Sequence, residues 1–579
     1  MGVQSPSTLP RLCIYKILAD QRFMQKHFEQ IMKRMVRKSK IREVTSATPS
    51  VLIGGAGGFW GDRVYAPVDM LTHNDLDYIT MDYLAEVTMS IMSKSYSSNP
   101  KLGWATDLER WLKKGGISLL REKGVRLVTN AGGVNPVSCA QMVLDVACSI
   151  GWTNCQVAVV TGDNVLSILH SSAKEGEQFQ HMFDKSKEPL LHHDEIIAAN
   201  AYLGAGPIGR SIVKGADIVI TGRVADASLI VGCMLHASGW AQNAENESLP
   251  ICGPIHSWSE KEEQESLDLL AGWSVAGHLI ECGAQVCGGN FTNLPANVDI
   301  SDISYPIAKI SFDGSSIITK SKGGGIVNRA SVIEQLLYEI DDPSNYITPD
   351  VIVDVSMISI EDLGGNQVKV SSVSGRPPPE RLKISSCYHD SYFITSQLVI
   401  PGPEPLAKAQ QTDKILRKRV AHLKDIIIET EFFGAGASLP LGLRKILDKT
   451  TNSNPREILV RWGVSSTNRQ SLNVFASEIA PLVLTGPAGV SGYSARSKPR
   501  KQLAFFPTSI RREHVEEQVE ITFIHTLRSE IEERYPWLKR NVTTRIDNVM
   551  MNSDSRTKLA VARVIRRRLH MPRIWKAVN

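Results

Sequence analysis

The chain lacks any apolar run of the ~18 residues that a membrane-spanning helix requires, although 42 % of its 579 residues are hydrophobic. No membrane span is expected. Its N-terminus lacks the apolar core of a secretory signal. The nine cysteines are scattered and no CxxC pair occurs, so neither a zinc site nor a disulfide framework is indicated. They read as reduced thiols of a cytoplasmic protein. Aromatic residues are few, at 6 %, and are not interleaved with the basic residues, which argues against a binder of single-stranded nucleic acid. No nucleic-acid partner is expected.

Standard catalytic signatures are missing as well. The glycine-rich stretch VLIGGAGGFWGDR (51–63) is not a dinucleotide fingerprint: GxGxxG fails at Trp60 from one start and at Ala56 from the other. No Gly-Lys-Ser/Thr follows, which excludes a Walker phosphate loop. GxSxG and HExxH are absent. The stretch HHDE (192–195) has metal-ligand residue types, but neighbouring side chains on a strand point to opposite faces. No metal is expected, and no motif requires a cofactor.

What is present is unevenly charged. Residues 1–45 carry 10 Lys and Arg against 3 Asp and Glu, and residues 495–579 carry 19 against 9. The middle carries 36 against 48, so an acidic core lies between two basic ends. Basic ends suit either anionic partners or solvated helices.

From Val51 a unit recurs: a short β-branched run, a Gly/Asp/Asn-rich loop, then a helical stretch. VLI leads into GGAGGFWGD, LDYIT into MDYLAEVTMSIM, and VRLVT into NAGGVNP with its helix. There Asn135 is a good N-cap and Pro136 fits the first helical position. QVAVV leads into TGDN, and ADIVIT into GRVADAS. This alternation predicts an α/β fold, a mostly parallel sheet flanked by helices. The run 278–295 reads as a further strand ending at Gly288, Gly289 and Asn290. In TKSKGGGIVNRASVIEQLLYEI, Asn328 is the expected cap of a helix. Residues 350–379 alternate as antiparallel strands do, with a Gly-Gly-Asn turn at 364–366, so a β-rich second portion is expected. The stretch 512–541 is charged and reads as partly helical.

In open parallel sheets ligands bind beyond the carboxyl ends of the strands. The loops would gather Asp62, Arg63, Asp82, Glu86, Asn130, Asn135, Asp163, Asn164, Arg223 and Asp226 on one edge. Such a mixture of acid, amide and guanidinium suits general acid/base chemistry on a polar ligand. Asp62 or Asp226 is the expected base, and Arg63 or Arg223 the anion clamp, with the alternative that Asp62 and Arg63 form a structural salt bridge. Glu281 beside an apolar run reads either as a buried carboxylate of raised pKa or as a surface carboxylate. Phe59 and Trp60 either line an apolar pocket or anchor their loop. The loop glycines would let backbone amides approach an oxyanion or phosphate.

The phrases GGFWGDR, LDYITMDYLAEVTMSI, TNAGGVNP, VVTGDNV, ADIVITGRVADASL and HLIECGAQVCGGNF, in that order, resemble the acyclic terpene utilisation (AtuA-like) family. The resemblance covers about residues 50–495. It implies a basic N-terminal extension over 1–45, the family's α/β core over 46–300, its β-richer part over 301–495, and a basic segment over 496–579. It also implies a role near the breakdown of acyclic terpenes through branched acyl-CoA intermediates, with a terpenoid or acyl-CoA ligand and a CoA thioester as substrate. A homo-oligomer or a pathway-enzyme partner fits this setting, as do tailoring enzymes of terpenoid or polyketide metabolism and a non-catalytic accessory subunit. Within the characteristic phrases fall the catalytic candidates Asp62, Arg63, Arg223, Asp226 and Glu281. The ligand-binding candidates there are Gly57, Gly58, Asp82, Glu86, Asn130, Gly132, Gly133, Asn135, Asp163, Gly222, Gly288, Gly289 and Asn290. The family's RSGDKGN-like C-terminal phrase is absent, so this member either lacks the small second domain or has diverged there.

Overall fold

The apolar runs that precede the glycine-rich loops form strands. In a computed structural model, which describes residues 49–193, 195–242, 260–440, 442–443 and 455–524, Ser50–Gly55, Tyr78–Met81, Arg126–Thr129, Ile218–Thr221 and Val157–Thr161 lie side by side in that order and pair in parallel. Tyr78–Met81 and Ile218–Thr221 are buried along their whole length. A strand covered on both faces carries apolar residues continuously, which is why these runs show no alternation.

The sheet is not mostly parallel. It has ten strands, and the five parallel ones are its centre only. On one side Ser50–Gly55 pairs antiparallel with Pro306–Ser311, followed by Ser316–Lys320, Gln367–Ser371 and Ser359–Gly364, all antiparallel. On the other edge Glu520–Ile524 pairs antiparallel with Val157–Thr161. The expected β-rich portion is therefore partly an extension of the same sheet. Hairpin strands can join an existing edge with short turns, whereas each parallel strand needs a crossover. The Gly364-Gly365-Asn366 turn lies between Ser359–Gly364 and Gln367–Ser371, as its sequence predicts.

One face of the centre is covered by a large apolar cluster that includes Trp111, Leu127, Val143, Val159 and Ile220. The helices Gly206–Val213, Ser228–Ala237 and Glu260–Glu281 pack successively on one another, and all three also touch the sheet. Among the described residues, one of two compact units comprises 49–182, 198–242, 260–385 and 508–524, and holds all of this. The other comprises 183–193, 195–197, 386–440, 442–443 and 455–507. Its described part has antiparallel strands Ile427–Phe433 and Glu457–Ser466 paired with the 392–401 stretch of the strand Arg381–Pro401. Its own core includes Trp462, Val460, Leu416 and Phe475.

Two local expectations need correction or limits. His278–Glu281 is not a strand; it is the last turn of the helix Glu260–Glu281. Residues 266–281 of that helix are almost all buried, and an apolar run lacking a polar face does not distinguish helix from strand. In the stretch 512–541, Arg512–Glu516 is helical and Glu520–Ile524 is a strand. Residues 525–541 of it, the extension 1–45 and the rest of the segment 496–579 beyond residue 524 lie outside the described residues. No described helix is long and apolar enough to cross a membrane.

Candidate functional site

The carboxyl ends of the parallel strands release five short loops, which carry the buried side chains of Asp82, Asn130, Asp163 and Arg223. Asp82 follows the second strand and is 5 % exposed. Its Oδ1 accepts from Asn130 Nδ2 at 2.7 Å and from the Leu84 amide at 2.9 Å. Asn130, at the end of the third strand and fully buried, returns the link by accepting from the Tyr83 amide at 2.8 Å. Asp163 follows the strand Val157–Thr161; its Oδ2 accepts from Asn200 Nδ2 at 2.7 Å and from the Arg223 amide at 2.9 Å. Gly222 lies against the same carboxylate: a Cβ there would sit 2.4 Å from Asp163 Oδ1. Glycine at 222 is what lets the two loops touch.

Arg223 is the centre of this group. It is 2 % exposed, and its guanidinium donates to the Leu84 carbonyl at 2.6 Å, pairs with Asp226 at 2.9 Å and stacks 4.1 Å over the Tyr202 ring. Among the described residues its Nε is buried without a hydrogen-bond partner. The acids Asp226, Asp82 and Glu86 act on the guanidinium. Glu86, at the first turn of the helix Glu86–Ser98, binds Lys383 Nζ at 3.1 Å and lies 3.3 Å from the Tyr202 hydroxyl. Burial alone would raise its pKa, but Lys383 and Arg223 outweigh burial and hold it at about 2.

The other acids behave in the opposite way. Burial pushes Asp163 up to about 6, against the hydrogen bonds from Arg223 and Asn200. Burial and then Asp226 raise Asp82 well above the usual carboxylate range, with Arg223 opposing. Burial, Asp226 and Glu339 raise Glu281 in the same way. Glu339 is itself raised by burial, Glu86 and Asp226. Arg223 acts on Asp82, Glu86 and Glu281, and Lys383 on Glu86. Acid in excess over base, in low dielectric, favours the protonated forms.

The glycine-rich loop 55–62 has a definite place here. A Cβ on Gly55 would lie 2.3 Å from the Ile280 carbonyl, and one on Gly58 2.7 Å from Cys282. The loop therefore runs backbone to backbone against the end of the helix that carries Glu281. Asp62 closes it: Oδ2 accepts from the Gly58 amide at 2.9 Å, and Oδ1 accepts from the Arg63 amide at 2.7 Å and from the Tyr305 hydroxyl. Arg63 turns outward to Asp302 at 2.8 Å and Asp69 at 3.2 Å. The two neighbours do not pair with each other through their side chains. Phe59 is 54 % exposed, whereas Trp60 packs against the apolar cluster.

The family model described as acyclic terpene utilisation family protein AtuA matches residues 51–521. The chain belongs to the acyclic terpene utilisation family. No curated protein and no solved structure matches it.

Of the residues in the family's characteristic phrases, the structure gathers Asp82, Glu86, Asn130, Asp163, Gly222, Arg223, Asp226 and Glu281. Gly57 and Gly58 border them through the helix end. Gly132 and Gly133 form the turn after the third strand; a Cβ on Gly132 would lie 2.5 Å from the Thr221 carbonyl. Other members have local tasks. Asn135 caps the helix Pro136–Ser149, accepting from the Ser138 amide at 3.4 Å and donating to the Leu102 carbonyl at 2.8 Å. Asn164 accepts from the Leu166 amide at 3.0 Å. Gly288, Gly289 and the exposed Asn290 turn the chain away after the helix.

The family's phrases do not contain every member of the cluster. Tyr202, Lys383, Tyr338, Glu339 and Tyr346 come from segments distant in sequence, and only the fold brings them in. Glu339 has φ 63°, a left-handed conformation that is uncommon for a non-glycine residue. His278 was missed; it stands three residues before Glu281, and reading the run as a helix would have put both on one face. Among the described residues no group of His, Cys, Asp and Glu has the geometry to hold a metal ion.

Proposed function

We propose that the chain is an enzyme of acyclic terpene or branched acyl-CoA metabolism. It would transfer protons at a carbon activated by a thioester carbonyl, with addition, elimination or hydrolysis following. The observation that carries this reading is the buried acid cluster around Arg223, in which Asp82 and Glu281 are pushed towards their protonated forms. Groups with pKa values drawn towards neutrality are suited to general acid and base work, and they concentrate at active sites. Glu281 is the proton-transferring residue of choice, since Asp62 spends both oxygens on its own loop. A protonated Asp82 would lower the site's negative charge and leave it receptive to a carbonyl or hydroxyl oxygen. Family membership supports the terpenoid setting.

The test is an assay of the purified chain with geranyl, citronellyl and isovaleryl thioesters. Turnover, or binding with hydrogen exchange next to the carbonyl, is expected for at least one. Absence of both with all three overturns the reading. A non-catalytic accessory subunit would instead leave pathway flux intact after substitution of Glu281.

A further inference from the structure

His278 and Glu281 are bonded in a way that fixes where their protons lie. His278 is 2 % exposed and Glu281 8 %. His278 Nε2 lies 3.1 Å from the Gln335 carbonyl and 3.2 Å from the Leu336 carbonyl. Carbonyl oxygens only accept, so Nε2 carries a proton. Nδ1 lies 2.9 Å from Glu281 Oε1. In neutral imidazole the second nitrogen is then an acceptor, and the proton between Nδ1 and Oε1 belongs to Glu281. Among the described residues the other oxygen, Oε2, is buried without a hydrogen-bond partner.

The surroundings agree with a neutral pair. Facing Glu281 are the charges of Asp226 and Arg223 from the loop after the strand Ile218–Thr221, and of Glu339 from the segment after the helix Arg329–Leu337. Tyr346 and Cys282 lie close enough to feel it, and both are themselves held protonated, chiefly by burial. Burial lowers the pKa of His278, with Glu339 opposing, while that of Glu281 is raised. An ion pair there would place two charges in low dielectric with few compensating donors.

Resting on the enzymatic reading above, we propose that His278 serves as the proton acceptor for Glu281, so that the pair, and not Glu281 alone, is the site's general base. As Oε2 takes a proton from the substrate carbon next to the thioester carbonyl, the proton on Oε1 moves to Nδ1. The C–H bond breaks and its electron pair stays on the substrate as an enolate. Glu281 ends protonated at Oε2, and His278 becomes an imidazolium whose other N–H points at two carbonyls. No charge is created on Glu281, and the imidazolium balances the enolate. His278 touches Glu281 and not the substrate, so it is a positioning residue.

The experiment uses the full chain and reads two signals. The first is the infrared carbonyl band of a protonated carboxyl group at neutral pH. A component of it is expected in the native protein that Glu281→Gln removes and His278→Gln shifts. The second is hydrogen exchange of isovaleryl thioester in deuterated water, which His278→Gln is expected to slow ~100-fold or more. If that variant does not fold, the native pH profile takes its place. A neutral pair holds the rate level with falling pH until His278 gains a second proton, below about 6.5, the ordinary histidine value. A lone carboxylate base loses rate tenfold per unit below its raised pKa. No band removed by Glu281→Gln, exchange indifferent to His278→Gln, or the tenfold slope overturns the relay. The band without exchange of any thioester, even in the native protein, instead sinks the enzymatic reading and with it the relay, while the neutral pair stands.

Discussion

Glu177 and Glu281 are two glutamates of the same compact unit, at 5 % and 8 % exposure, the first under half-exposed arginines and the second deeper, and they have opposite characters. Glu177 is saturated with donors. Arg381 reaches it at 2.5 Å, Arg511 Nε at 3.1 Å and the Arg511 amide at 3.0 Å. Burial would raise its pKa, but these bonds outweigh burial and hold it below the usual value. Glu281 has one neutral partner and two acidic neighbours, and burial drives it up. The difference teaches that the supply of donors works against burial in deciding whether an interior carboxylate is held charged or pushed towards its protonated form. Glu177 faces two arginines with nothing left to offer; Glu281 keeps an oxygen free.

The comparison can be broken most forcefully at Arg223. Arg223→Met should cost about 3–5 kcal/mol at pH 7, because it leaves several acids facing one another without their buried cation. The cost should shrink towards pH 5 as they protonate. A loss of melting temperature that does not depend on pH would show that Arg223 acts only by packing. Next comes Glu281→Gln, which should reduce thioester hydrogen exchange ~100-fold or more with stability nearly unchanged, since the native side chain already behaves as a neutral acid. A large loss of stability would place Glu281 with Glu177 as a structural residue.

Glu177→Gln should show the reverse pattern: exchange unaffected, and stability lower by about 2–3 kcal/mol for the lost charge-assisted bonds, measured by denaturant unfolding at pH 7. Glu177 has a depressed pKa in the folded state, so its stabilisation is complete above the unfolded value and fades as pH falls through the folded one. The difference between native protein and variant should therefore narrow in acid.

Asp163 offers the mildest and sharpest comparison. Its folded pKa of about 6 lies above the unfolded value, so its contribution is fully present below the unfolded pKa and is lost as pH rises through about 6. Asp163→Asn, which keeps the acceptor for Arg223 N, should remove that loss. It should make the variant at pH 7 the more stable by about 1–2 kcal/mol. No change in the pH slope of unfolding between pH 4 and 7 would show that Asp163 titrates as an ordinary aspartate.

Much of the frame was legible before any coordinates. The five parallel strands announce themselves as β-branched runs ending in polar loops, and Asn135 and Asn328 as caps; Asn328 does accept from the Ser331 amide at 2.9 Å. Local chemistry suffices there, because a cap or a strand–loop boundary involves neighbours in sequence. The antiparallel additions were not legible as part of the same sheet. Nothing in residues 306–320 or 520–524 states which edge they will join. The helix Glu260–Glu281 was misread at its end because burial on all sides removes the polar face by which a helix is recognised, and that error concealed the spacing of His278 and Glu281.

The sequence by itself determined that strand-end loops would deliver acids, amides and an arginine to one edge, because each loop follows its own strand. It also determined membership of the acyclic terpene utilisation family, through phrases kept in order. Only the tertiary structure decided the state of those groups. Arg223 is held by Asp226, Leu84 and Tyr202 with its Nε left over, Asp62 by its own loop and Tyr305, and Glu281 is left beside His278 with a free oxygen. Gly55 and Gly58 of VLIGGAGGFWGDR are explained the same way, since they admit the end of the Glu281 helix. Protonation and reactivity depend on distance in space, and on the dielectric that packing creates, and neither is a property of local sequence.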